Sequence, residues 1–141
     1  MTLTMARPTG LHSPPSRFQL DFPARPTALA EVRHAMQDWL RDSPLDECTA
    51  YDVLLATGEA CANAIEHGHR GDGGTIRLRA TRDSAGLRIT VRDHGRWKRP
   101  APGPDPIRGR GLAMIRTLIP EVKVTASDNG TTVEMWMPIR A

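Results

Sequence analysis

The chain has 141 residues, with 19 Lys and Arg against 16 Asp and Glu and a formal net charge of +3. That length suffices for one domain around one core, and no run of about 18 apolar residues is present to cross a membrane. The surplus charge comes almost wholly from arginines scattered over several segments, which is weak support for a nucleic-acid interface and suits an anionic small ligand or an acidic protein partner equally.

Residues 1–16 contain Pro8, Pro14 and Pro15 without apolar periodicity, and are expected to form a disordered tail. No apolar segment follows a basic start there, so no secretory leader is expected. Phe18, Leu20 and Phe22 alternate on one face of a short strand, 17–22, which Pro23 ends. Thr27 offers an N-cap to a helix carrying Leu29, Val32, Met36, Trp39 and Leu40 at helical spacing. Asp42, Ser43 and Pro44 stop that helix and start the next, with Ser43 as N-cap, Pro44 in first position and Asp46 closing a capping-box-like pair. The second helix is expected to run to His67, with Gly68 as its C-terminal cap. Cys48 and Cys61 fall within it as small buried residues, expected to be reduced thiols in a cytoplasmic protein.

That helix contains Glu59-Ala-Cys-Ala-Asn63-Ala-Ile-Glu66-His67-Gly68. At about 100° per residue, Glu59, Asn63 and Glu66 share a narrow polar strip. Tyr51, Leu54, Leu55, Gly58, Ala62 and Ile65 form an apolar or small strip beside it. An acid and an amide bordering the core can bind a hydrated cation or take a proton, and Ala60, Cys61, Ala62 and Ala64 leave room for a ligand. A solvated helix edge gives the same pattern. His67, near the negative end of the helix dipole, serves either to terminate the helix or as a ligand.

After a glycine-rich turn at 70–74 come strands 75–82 and 87–92, a hairpin turning at Asp83-Ser-Ala-Gly86. Leu87, Ile89 and Val91 face one way and Arg88, Thr90 and Arg92 the other, and Asp93 keeps the parity of the apolar set. A carboxylate aimed at the core needs a donor, either backbone near Gly95 in an Asx turn or the amino group of a ligand. Pro100, Pro102, Pro104 and Pro106 make 97–108 a loop, basic at its ends through Lys98, Arg99, Arg108 and Arg110. Gly109-Arg-Gly111 then opens a helix periodic in Leu112, Ile115, Leu118 and Ile119, which Pro120 ends. Such glycines either let backbone N–H groups approach an anion or form an ordinary turn. A last hairpin, 122–126 with 132–139, turns at Asp128-Asn-Gly130. Thr131 shares the parity of Val133, Met135 and Met137, and both methionines read as core.

Four patches stand in order: EACANAIEHG at 59–68, DHGRW at 93–97, RGRGL at 108–112 and GTTV at 130–133. In this order the sequence resembles the Bergerat-type (GHKL) ATPases, and more narrowly the anti-sigma-factor serine kinases of the RsbW/SpoIIAB type. The resemblance covers roughly residues 17–140 and implies one histidine-kinase-like ATPase domain over 17–141. It implies a two-layer α/β sandwich, a mixed and mostly antiparallel sheet with helices on one face, and ATP with Mg²⁺ between helices and lid. Under it Asn63 holds Mg²⁺, Asp93 accepts from the adenine amino group with Thr131 supporting through a water, and Gly95 lets backbone approach the base. Gly109, Gly111 and Leu112 supply backbone around the phosphates, Arg108 and Arg110 add charge, and Glu59 is the general base. The implied partners are a STAS-domain anti-anti-sigma protein, whose serine is phosphorylated, a sigma factor and a second copy of the chain, with no direct nucleic-acid contact. Trp97 stands where the superfamily has a second glycine, and Ile107 where some members have an arginine. A nucleotide-binding partner switch without phosphoryl transfer is the alternative reading, and a nucleic-acid-binding domain a third.

Overall fold

The computed structural model describes residues 16–68, 74–93, 106–127 and 130–139, with backbone alone at 67–68, 106–111 and 127. Strand β1 (Ser16–Pro23) leads through a single 3₁₀ turn (Pro26–Ala28) into α1 (Leu29–Arg41) and α2 (Glu47–Asn63), which ends in a π-turn (Ala64–Gly68). The hairpin β2 (Thr75–Arg82) and β3 (Gly86–Asp93) follows, then α3 (Pro106–Leu118) and the hairpin β4 (Glu121–Ser127) and β5 (Gly130–Pro138). The strands form one sheet in the order β1-β2-β3-β5-β4. All four pairings are antiparallel. β3 stands at the centre of the sheet, β5 lies between it and the edge strand β4, and α3 leads from β3 across to β4.

Alternation along each strand sorts side chains to two faces. Ile76, Leu78 and Ala80, then Leu87, Ile89 and Val91, then Val133, Met135 and Met137 are buried on one of them. They meet Val32, Met36 and Leu40 of α1, Val53, Ala56, Ala60 and Cys61 of α2, and Ile115 and Ile119 of α3 in a single core. α2 touches both α1 and α3. The expected two-layer sandwich, with the helices on one face of the sheet, is the observed architecture. Among the described residues no helix is long and apolar enough to cross a membrane.

The helix boundaries differ from the sequence reading in instructive ways. Thr27 caps nothing: it lies inside the 3₁₀ turn that Pro26 opens with its fixed φ, and α1 starts without a side-chain cap. Ser43 closes α1 instead of opening α2, its hydroxyl donating to the Leu40 carbonyl at 2.6 Å. The N-cap of α2 is Asp46, whose carboxylate accepts from the Thr49 N–H at 2.7 Å. An acid there satisfies an orphan donor and meets the positive end of the dipole together.

Most of the buried surface of α2 and its π-turn (Val53, Ala56, Thr57, Ala60, Cys61 and Ala64) lies on the other side of the polar strip from the apolar strip expected. Gly58 and Ile65 of that strip are buried too, and Leu54 packs against the core. Tyr51 is 63% exposed, and Cys48 is exposed rather than buried. Small side chains let this helix approach the sheet closely, so the face with least bulk wins the core. Gly86, opening β3, is needed for a close approach. A Cβ there would lie 2.5 Å from the Met137 carbonyl oxygen of β5.

Candidate functional site

Strand parity places Asp93 where few carboxylates are found. It is the last residue of β3 and 1% exposed. In the sheet it stands opposite Ile76 of β2 on one side and Thr131 of β5 on the other. Thr131 is 2% exposed, and its Oγ1 has no hydrogen-bond partner among the described residues. The chain reaches Thr131 through Gly130, whose φ of 135° lies in the region that glycine favours. This lets β5 begin with its hydroxyl residue already turned inward, beside the carboxylate.

α2 brings the second half of the site. Asn63 is its last α-helical residue and is buried, with Glu59 half-buried one turn before it. From Ala64 the backbone widens into the π-turn, which lies against both β3 and β5. The amide end of α2 thus leads into a turn packed on the two strands that carry Asp93 and Thr131. Helices widen this way mostly as single turns, frequently at functional sites, where the extra residue re-aims the side chains that follow. The sequence reading continued the α-helix to His67, and neither the spacing nor the composition of this stretch marks the change. Cys61 lies between Glu59 and Asn63 in sequence but faces the core, where burial pushes its thiol up to about 12. It is an inert part of the packing.

The donors and acceptors define what the site can hold. A buried carboxylate accepts hydrogens and offers none, whereas a hydroxyl does both. Side by side they complement the edge of an amino-substituted heterocycle, which donates from the amino group and accepts at the adjacent ring nitrogen. The Asn63 amide oxygen is a hard ligand suited to a hydrated divalent cation. Among the described residues no three His, Cys, Asp or Glu side chains are grouped to hold a metal. Mg²⁺ needs only one or two protein ligands when substrate phosphates supply the others, so this donor set fits it.

The structure thus pairs Asp93 with Thr131 across β3 and β5, and buries Asn63 at the end of α2, whose π-turn lies against the same two strands. Leu112 is half-buried on α3 against the core. Helix α3 begins at Pro106, so Arg108, Gly109, Arg110 and Gly111 belong to its opening turns instead of preceding it. Proline suits a first helical turn, since its missing N–H is an orphan there anyway. Gly95 and Trp97 lie outside the described residues, as do the side chains of Arg108 and Arg110. One buried polar group escaped the sequence reading. Thr57 of α2 is 1% exposed, with its Oγ1 unpartnered among the described residues. Its only signal was its place on the face shared by Val53 and Ala60.

Residues 22–137 match the family described as histidine kinase-like ATPase domain. The chain belongs to that family. Membership makes it an ATP-binding domain of GHKL type. Among solved structures it is similar to the RsbU and RsbW domains of Rv1364c from Mycobacterium tuberculosis, at 28% identity and a TM-score of 0.65 over 91% of this chain. It is also similar to the histidine kinase domain of the Erythrobacter litoralis EL346 blue-light activated histidine kinase, at 25% identity and a TM-score of 0.59 over 83% of this chain. A second structure of that kinase matches at 26% identity and a TM-score of 0.58 over 79% of this chain. The chain spans 34%, 65% and 41% of the lengths of these three.

Proposed function

We propose that this domain is a cytoplasmic anti-sigma regulator that binds Mg-ATP, phosphorylates a serine on a STAS-domain anti-anti-sigma protein and sequesters a sigma factor as a homodimer. The observation that carries the nucleotide part is the buried Asp93 facing a Thr131 hydroxyl with no partner among the described residues. The likeness to a structure containing an RsbW domain supports the partner-switching part.

Bound Mg-ATP supplies the transferable phosphoryl group and the cation that offsets its charge. The chain's own residues do the rest. Asp93 accepts from the adenine amino group, and Thr131, with its hydroxyl free to turn, reaches the base through a water. Gly95, outside the described residues, is assigned to let the backbone approach the base, as the resemblance implies. Asn63 offers its amide oxygen to Mg²⁺. Gly109, Gly111 and Leu112 present backbone to the phosphates, while Arg108 and Arg110 add positive charge at the same end of α3. Glu59, one turn before Asn63, takes the proton from the attacking serine hydroxyl. Phosphoryl transfer needs little beyond positioning, charge neutralisation and such a base.

The test is incubation of the chain with γ-labelled ATP, Mg²⁺ and its cognate STAS protein. Label is expected on a serine of the partner and is expected to vanish with Glu59→Ala, while Mg-ATP still raises the melting temperature of that variant. Asp93→Asn should remove the thermal stabilisation itself. Transfer by Glu59→Ala at the wild-type rate refutes the base assignment. The departures at Trp97 and Ile107 favour a second reading, a switch that binds nucleotide and exchanges partners without transfer. That reading is selected if stabilisation occurs and no serine is ever labelled.

A further inference from the structure

The sheet has a second face, away from the helices. Strand register orders its side chains in three cross-strand rows: Arg17, Thr81, Arg88, Trp136 and Glu121; then Gln19, Arg79, Thr90, Glu134 and Lys123; then Asp21, Arg77, Arg92, Thr132 and Thr125. On β1, β2 and β3 this face carries Arg17, Arg77, Arg79, Arg88 and Arg92 against a single acid, Asp21. Arg17, Arg79, Arg88 and Arg92 are exposed. Arg77 and Arg92 stand directly opposite each other, an arrangement that destabilises a sheet. A face kept only for solubility has no need of that repulsion. Over the β1–β2 pairing lies a depression of about 480 Å³ lined by Arg17, Gln19, Arg79 and Thr81, with Phe18 and Ala80 between them.

We infer that this face is a docking surface for an acidic protein segment in extended conformation. The inference stands apart from the nucleotide site, because these side chains point away from the layer that holds Asp93 and Asn63. Three observations fix the chemistry of the partner. Arg77 already grips a carboxylate here, side-on through Nε and Nη2, at 2.9 and 3.1 Å from the two Asp21 oxygens. That forked geometry is arginine's mode of carboxylate recognition. Arg77 and Arg79 project from β2 at a spacing of about 6.6–6.8 Å, the same as alternate side chains of any extended strand laid along it. The face's aromatic, Trp136, already has the Arg88 guanidinium over its ring at 5.2 Å, so it offers no open platform for stacking bases. A second copy of the chain docked face to face about a two-fold axis would set arginines against arginines.

The probe is a fluorescein-labelled dodecapeptide of alternating glutamate and threonine, titrated with the full chain by fluorescence anisotropy at low and physiological ionic strength. Saturable binding is expected, weakened about tenfold by Arg17→Gln with Arg79→Gln, the loss expected of two exposed charge pairs. The variant's melting temperature with and without Mg-ATP shows whether it folds and keeps the nucleotide site. Amide shift mapping on the wild-type chain needs no variant, and should place the perturbed residues on β1, β2 and β3. Absence of saturable binding, binding indifferent to the paired substitution, or perturbations elsewhere overturns the inference. So does tighter binding of a single-stranded oligonucleotide of equal charge, which would make this a nucleic-acid face, or self-association that the substitutions abolish, which would make it a homodimer face.

Discussion

Replacing Thr131 by valine exchanges a buried hydroxyl for a methyl group of nearly the same shape. In the free protein Thr131 is 2% exposed, and its hydroxyl has no partner among the described residues. Leaving such a group buried and unsatisfied costs about 1–3 kcal/mol, and the low end applies where solvent reaches the mouth of a binding site. Thr131→Val should therefore stabilise the free chain by about 1 kcal/mol, raising its melting temperature by about 4 °C for a domain of this size. Mg-ATP has the opposite dependence on the hydroxyl. At about 100 times its Kd a ligand stabilises by about 2.7 kcal/mol. Losing one neutral hydrogen bond worth about 1 kcal/mol weakens binding about fivefold and cuts that stabilisation to about 1.8 kcal/mol. Differential scanning calorimetry with and without Mg-ATP reads both quantities from one variant. A lower melting point for free Thr131→Val, or a nucleotide shift equal to wild type, refutes the reasoning that the hydroxyl is held in reserve for a ligand.

Gly86→Ala should lose about 1–3 kcal/mol in urea unfolding, because its new Cβ meets the Met137 oxygen at 2.5 Å and the Pro138 Cα at 2.9 Å, both backbone; an unchanged midpoint would contradict this. The backbone and side-chain hydrogen bonds of Thr49 hold the Asp46 carboxyl below its ordinary 3.8. A depressed acid contributes stability that is complete above the unfolded value and is lost as pH falls through the folded one. Asp46→Ala should accordingly flatten the stability curve below about pH 4, and a curve parallel to wild type would refute the cap. Cys61 is buried with its thiol pushed up to about 12, whereas Cys48 is exposed. Brief alkylation at neutral pH should therefore modify Cys48 alone in the folded chain and both thiols after denaturation; equal labelling of the two in the folded chain would be the contrary result.

The strands were legible because a two-residue period is unforgiving. The placement of Asp93 and Thr131 on the buried face followed from counting parity from Leu87 and Val133. The helices were legible in existence and less so in detail. Glu59 and Asn63 were recognised as bordering the core, yet most of the core lay on their other flank, with Gly58 and Ile65 alone of the expected strip buried. Helical periodicity alone does not say whether bulky Tyr51 and Leu55 or small Ala56 and Ala60 will face a sheet. Closeness of approach decided it, and that is a tertiary quantity. Capping was ambiguous because Ser43 and Asp46 are both competent N-caps three residues apart, and the acid prevailed. The π-turn after Asn63 left no local mark, since Ala64, Ile65 and Glu66 are ordinary helix formers, and it lies against β3 and β5. The basic outer face was hidden in composition. Arginines that look scattered along the sequence become neighbours only when β1, β2 and β3 are set in register.

The alternation that separates core from arginines has a consequence for how such a chain can change over generations. Substitution can alter one face of β2 or β3 and leave the other untouched. A single-residue insertion or deletion within either strand cannot, because it turns every following side chain over. Arg77 and Arg79 would then enter the apolar layer, and Asp93 would swing out of its pocket. Changes of length are therefore expected to be tolerated best in the turns, and Asp83–Gly86 is one natural place for them. Within the strands themselves, drift in sequence is free only where drift in length is forbidden.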